Sequence, residues 1–360
     1  MTTKRRKRRK SCKHGKLKRP VRTKKGGKRM CRKRKSRNRK SYKMQNNPST
    51  KLEDMPTEML LRVFENSSLD ELANLYATNY QLRDIAIDIV RRRLSNDDKS
   101  YEMILESYDN RINVVRLLLD TGADINAQDT DGNTALTNAS HRGNIEIVRL
   151  LLDRGADVNI KDEDDVTALW YAIASNHTEV AKMLINAGAD INMGNDEGDG
   201  VLIEASKIGN IDIVKFLIER DTDVNAKDYN GRTALSIVSQ EGNTDIVRML
   251  IERGADVNVQ DNNGNTALMF ASSQGHSSQG HTDIARMLIE GGADVNAQTN
   301  DGGTALMNAS FGQTDIVRML IENGADVNIK SDNGKTALKY AMKYNKKKIV
   351  SLLRQAGATQ

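Results

Sequence analysis

Beyond residue 31 the chain has no cysteine. Its only two, Cys12 and Cys31, lie near the N-terminus. A folded body without cysteine has no disulfide framework, and a reducing, intracellular compartment is the natural expectation. Long apolar runs are missing as well. Nothing approaches the run of about 18 apolar residues that marks a membrane-crossing helix, so no membrane association is expected. The chain opens with KRRKRRK where a secretory signal would place its apolar core, so conventional secretion is not expected. No phosphate-binding glycine loop, nucleophile–base constellation or paired-carboxylate site stands out. Neither an enzymatic activity nor a cofactor is therefore expected.

Acidic residues are absent from the first 50 positions, which hold 24 of the 55 Lys and Arg. The remainder carries 31 basic and 48 acidic residues, a balance of −17, so the net charge of +7 conceals a cationic tail on an acidic body. The tail (1–50) has no Phe or Trp and is expected to be disordered alone, because it cannot bury enough apolar surface to offset its ordering entropy. Two runs stand out, Lys4, Arg5, Arg6, Lys7, Arg8, Arg9 and Lys10, then Arg32, Lys33, Arg34 and Lys35. They look like nuclear-import signals and equally like a non-specific nucleic-acid tether, whose binding would be salt-sensitive. Tyr42 is the tail's one aromatic residue, which gives no support to base stacking. Cys12, His14 and Cys31 fall short of a closed four-ligand zinc site and read as free thiols and a lone histidine.

Residues 51–96 have apolar positions at helical spacing: Met59, Leu60, Val63 and Phe64, then Leu69, Leu72 and Leu75, then Leu82, Ile85, Ala86, Ile89 and Val90. Pro56 suits a first helical turn, Ser68 to Glu71 forms a capping box, and Asn79 can cap a third helix. Three short helices in a small bundle are predicted, marginal alone and leaning on the C-terminal remainder of the chain.

That remainder (97–360) repeats itself. Thr-Ala-Leu recurs at Thr134, Thr167, Thr233, Thr266, Thr304 and Thr336, and Ala-Asp-Val/Ile-Asn closes most copies, as at Ala156 and Ala255. The spacing from Thr134 to Thr167 and from Thr233 to Thr266 is 33 residues. Such a period means stacked units, none able to bury its apolar face alone. Each unit predicts a short helix after Thr-Ala-Leu, a turn with Gly, and a second amphipathic helix ended by a left-handed Gly such as Gly155. A duplication, SSQGH-SSQGH, lengthens one unit, and the pair His276 and His281 that it creates reads as a tolerated loop insertion rather than a metal site. His141 and His177 read as isolated.

This pattern of Gly-x-Thr-Ala-Leu, Asp/Glu-Ile-Val, Leu-Leu and Gly-Ala-Asp-Val-Asn resembles the ankyrin repeat. The resemblance implies an all-α solenoid of seven or eight units, the first degenerate and the last a polar cap. The family's usual Thr-Pro-Leu-His is Thr-Ala-Leu followed by other residues here, so its Thr–His hydrogen bond is expected to be lost and each unit to be less stable. Asp54 to Phe64, with Leu69, Leu72 and Leu75, resembles an F-box. That resemblance implies docking to the Skp-type adaptor of a cullin–RING ubiquitin ligase through Met55, Pro56, Leu60, Leu61, Phe64, Leu69 and Leu72. The alternative is a helical cap on the first repeat.

Carried over from the ankyrin family, target-binding positions would be Asn133, His141, Arg142, Val166, Tyr229, Arg232, Gln240, Glu241 and Phe311. Tyr229, Arg232 and Phe311 are preferred anchors, because unpaired aromatic residues at turn tips have little structural reason to be there. Trp170, the only tryptophan, is either an anchor or packed between helices. The combined reading is a monomeric substrate-receptor adaptor, nuclear or cytoplasmic, resembling F-box/ankyrin proteins of large DNA viruses or of intracellular bacteria. The competing reading is a nuclear or nucleic-acid-associated scaffold held by the tail, with the bundle only a cap.

Overall fold

The computed structural model describes residues 55–195, 198–273 and 279–359. The tail, with Cys12, His14, Cys31 and the runs at 4–10 and 32–35, lies outside them, as does His276. The described residues form 19 helices and no named strand. Three come first: α1 (Thr57–Phe64), α2 (Leu69–Thr78) and α3 (Tyr80–Arg93). Pro56 sits one residue ahead of α1 as its N-cap rather than inside its first turn. Ser68 and Glu71 close a reciprocal capping box on α2, and the Asn79 carboxamide accepts the Leu82 N–H at the start of α3.

Eight antiparallel helix pairs make up the array. They are α4 (Asn96–Tyr108) with α5 (Ile112–Asp120), α6 (Ala135–Arg142) with α7 (Ile145–Asp153), α8 (Ala168–Ala174) with α9 (Thr178–Asn186), and α10 (Val201–Ile208) with α11 (Ile211–Ile218). The array continues with α12 (Ala234–Glu241) and α13 (Thr244–Glu252), α14 (Ala267–Ala271) and α15 (Gln279–Glu290), α16 (Ala305–Ala309) and α17 (Thr314–Glu322), and α18 (Ala337–Lys343) and α19 (Lys347–Gln355). First helices pack on first helices and second on second, giving one continuous core from Leu60 to Leu353. Each pair buries its apolar face only against its neighbours.

The recurring phrases have local physical causes. Each Thr of Thr-Ala-Leu is extended and accepts the N–H three residues on, as Thr134 does from Thr137 at 3.1 Å. It therefore caps the first helix even without the family's His partner. The Asn of Ala-Asp-Val-Asn reaches into the next unit. Asn126, Asn159, Asn225, Asn258 and Asn296 accept the N–H of Asp157, Asp190, Asp256, Asp294 and Asp326 at 2.7–2.9 Å. A second column ties the start of several second helices to the carbonyls ending the previous unit's first helix, groups a helix cannot satisfy itself. Asn144 donates to Ser107 O (2.7 Å), His177 bonds His141 O (3.1 Å), and Gln313 donates to Ser273 O (2.8 Å). His281 occupies the same place, bonded to Gln240 O at 2.9 Å and buried. The duplicated His thus serves the stack. At Gly143, with φ +70°, a Cβ would lie 2.6 Å from the His177 ring, so glycine is what lets that ring approach.

The Asn ladder fails once among the described residues. No bond runs from Asp223 back to Asn192, and there the usual Gly-Ala is replaced by Asp221 and Thr222. Asp221 is left-handed (φ 57°), and buried Thr222 donates to Leu217 O at 2.8 Å. A cleft of about 230 Å³ opens beside them, lined by Ile191, Val201, Leu202 and Thr222.

The degenerate first pair lacks Thr-Ala-Leu and is held differently. The buried Lys99 ammonium donates to Thr121 O (3.0 Å) at the C-terminus of α5, where a cation is favoured. Helices α2 and α3 pack on α5, and a polar cluster closes this junction. The Asp120 carboxylate accepts from the Tyr76 hydroxyl, from Arg83 (3.1 Å) and from Arg154 of the next pair (2.8 Å). The Arg83 guanidinium lies 4.3 Å over the Tyr76 ring. Burial alone would raise the Asp120 pKa, but the bonds from Tyr76, Arg154 and Arg83 outweigh it and hold the carboxyl below its usual range. Arg111 bridges Asp70 of α2 (3.0 Å) and Glu106 of α4 (3.3 Å).

Replacing Asp221 by Gly should relieve a left-handed residue and stabilise the array by about 1 kcal/mol. Equilibrium urea unfolding would show it as a higher midpoint at unchanged slope. An unchanged or lower midpoint would mean that Asp221 is not strained.

Candidate functional surfaces

Two folded surfaces are expected from the sequence: the hairpin tips with the concave face of the first helices, and the α1 region. At the tips, the turn chemistry absorbs most of the expected contact residues. Asn133 is buried, and its backbone N–H donates to Asp129 Oδ1 at 2.9 Å. Val166 is likewise buried, its N–H on Asp162 Oδ1. Both form hairpin bases and present no target-facing surface. Arg232 is paired with Asp228, whose carboxylate it meets from Nη2 at 2.8 Å and Nε at 2.9 Å, so it closes its own hairpin rather than standing free. Tyr229 is the exposed tip residue, at 78 %. Gln240 is half-buried and Glu241 exposed at the end of α12.

The histidines read as isolated are not. His141 stacks on Tyr108 (18° between rings, centroids 6.3 Å apart), meets Tyr171 edge-on at 5.5 Å, and bonds Ser175 Oγ at 3.2 Å. Arg142 lies 4.7 Å over Tyr108. Tyr171 meets Trp170 edge-on at 5.8 Å and donates to Asp162 at 2.6 Å, while the Trp170 indole N–H donates to Asp199 O at 3.2 Å. Trp170 is thus a half-buried member of a ring cluster spanning the first three pairs. Sequence reasoning missed Tyr108 and the part Tyr171 plays, although Tyr171 adjoins Trp170. Burial, then the Arg142 and His177 charges, push the His141 pKa below its usual value. Burial and the bond to Asp162 raise that of Tyr171.

Phe311 is not the unpaired ring the sequence suggested. It packs against Tyr340 (centroids 5.1 Å apart) and Tyr344 (4.7 Å) of the last pair.

On α1 the expected adaptor face is partly turned inward. Leu60 and Leu72 are buried in the core, so they hold the bundle together and are not available to a partner. Met55, Leu61, Phe64 and Leu69 are half-buried and packed on that core, and Pro56 is exposed. The apolar residues left in solvent are Met59 (51 %) and Val63 (47 %), one helical turn apart.

Stacked helix pairs joined by hairpin turns, with variable side chains at the tips, define a repeat-built interaction module. The family description "Ankyrin repeats (3 copies)" matches residues 103–195, 201–299 and 277–360, and the chain belongs to that family. Ankyrin arrays are protein–protein interaction modules. The matched region begins inside α4, leaving α1–α3 ahead of it. A comparison with curated proteins found no match. Among the described residues no helix is long and apolar enough to cross a membrane, and no group of three metal-ligating side chains is present.

The His141 environment sets a pH dependence. Its folded pKa lies below the unfolded value near 6.5. The stability it contributes is therefore complete above about pH 6.5 and declines as pH falls toward the folded pKa. His141→Gln should flatten that decline in urea unfolding between about pH 7 and pH 5. An NMR titration placing the His141 pKa above 6.5 would contradict the burial argument.

Proposed function

We propose that the chain is a substrate-receptor adaptor: the array holds a target protein, and α1 docks a Skp-type adaptor of a cullin–RING ubiquitin ligase. The observation that carries this reading is the Met59–Val63 pair. A helix whose Leu60 side is buried in the bundle leaves two large apolar residues in water at i, i+4, behind the F-box-like opening Met55-Pro56-Thr57-Glu58. A bundle serving only as a cap has no need of an apolar outer face, whereas a helix-in-groove contact does. The adaptor-facing set is then Met55, Pro56, Met59 and Val63, with Leu60 and Leu72 as support. The target would lie along the exposed positions Arg142, Tyr229 and Glu241. The resemblance to F-box/ankyrin proteins of large DNA viruses and intracellular bacteria is compatible with a chain acting inside a host cell.

A second reading has its own observation, the 24 basic and no acidic residues in the tail. Here the tail fixes the chain to nucleic acid or directs nuclear import, and the array presents a protein there.

A pull-down of the full chain with a purified Skp-type adaptor tests the first reading, at elevated salt so that contacts of the tail are screened. The wild type should bind. Met59→Asp/Val63→Asp, at exposed positions and checked for unchanged helicity, should bind at least about tenfold more weakly. No binding by either protein would reduce the bundle to a cap and favour the tail-anchored scaffold.

A further inference from the structure

Residues 333–360 carry seven Lys and Arg and no Asp or Glu, in a body that is otherwise acidic. A terminal repeat needs a polar outer face. It does not need aromatic rings, yet Phe311, Tyr340 and Tyr344 meet there across the junction of the last two units, with Tyr344 40 % exposed. Lysines surround them. Lys335 Nζ lies 5.6 Å over the Tyr340 ring and Lys343 Nζ 5.2 Å over Tyr344. Lys339 is exposed on the same helix, its ammonium donating to Gly334 O at 2.9 Å. Among the described residues no carboxylate pairs with any of these lysines.

We propose that this basic, ring-centred end of the array binds an acidic peptide segment of a partner protein that carries an aromatic or large aliphatic residue. The inference rests on the array being a target-binding module, and it supplies the chemistry of the target. Carboxylates of such a segment meet Lys335, Lys339 and Lys343 from outside, and its apolar side chain lies on the Phe311–Tyr344 edge. A single-stranded nucleic acid fits less well. The rings meet at 42° and 54° and form no flat ledge, and ammonium groups already cover the two tyrosine faces on which a base would stack.

The test uses the full chain, whose tail also attracts anions, so the readout must be resolved by residue. A fluorescein-labelled Glu-rich peptide with two Phe is coupled to the protein by carbodiimide, and the modified lysines are mapped by mass spectrometry. Coupling is expected at Lys335, Lys339 and Lys343, persisting at salt concentrations that abolish coupling to the tail. Phe311→Ala/Tyr344→Ala should lower it at least about fivefold while leaving tail coupling unchanged. Lys339→Glu/Lys343→Glu, which leaves the rings in place, should lower coupling at Lys335 similarly. Coupling confined to residues 1–50, or undiminished in both variants, would overturn the proposal, as would displacement by oligothymidylate more readily than by unlabelled peptide. So would copy-to-copy cross-links at Lys339 and Lys343 that vanish when the chain is diluted below self-association, because the occupant would then be a second copy. Adaptor docking at α1 involves none of these residues and stands or falls separately.

Discussion

The contact between successive helix pairs is the interaction on which the rest of the molecule depends. A single pair of such short helices cannot bury enough apolar surface to fold alone. Ile147, Val148 and Leu151 of α7 are fully buried only because α5 and α9 lie on either side. Apolar contact by itself would tolerate sliding between units. The two polar columns remove that freedom: an Asn side chain can accept from the next unit's Asp, and Asn144 or His177 can reach the previous unit's carbonyls, at only one relative placement. Burial supplies the energy, and the columns fix the register.

The same logic extends to the N-terminal end. An exposed α5 face would leave Val114 and Leu118 in water, and α2 and α3 cover it as a further unit would. Here the polar tie is Asp120, held by Tyr76 and Arg83 from the bundle and by Arg154 from the array. A carboxylate so held is costly to leave unpaired, which ties the three elements together. Helix α1, packed on α3, is thereby joined to the array through the same junction.

Much of this was legible in the sequence. The 33-residue period, the Thr-Ala-Leu and Ala-Asp-Val-Asn phrases, the capping box at Ser68 and the Gly turns arise from local chemistry, and local chemistry is written in consecutive residues. The site was less legible, because exposure is a tertiary property. Leu60 and Met59 are adjacent and equally apolar, and only the packing of α1 on α3 decides which one faces water. Asn133, Val166 and Arg232 were expected to meet a target, yet each is drawn into its own hairpin by the Asp four residues earlier. Phe311 found ring partners about thirty residues away in sequence, and His141 found two at the same separation, pairings visible only when units stack.

Bundle and array form one stack rather than two loosely joined parts. Native-state hydrogen exchange on the full chain tests it most directly. The account predicts that the slowest amides of α2 and α3 exchange with the same opening free energy and the same denaturant dependence as those of α5. Exchange of α2 and α3 through an opening that leaves α5 fully protected would contradict it and make the bundle a separate domain.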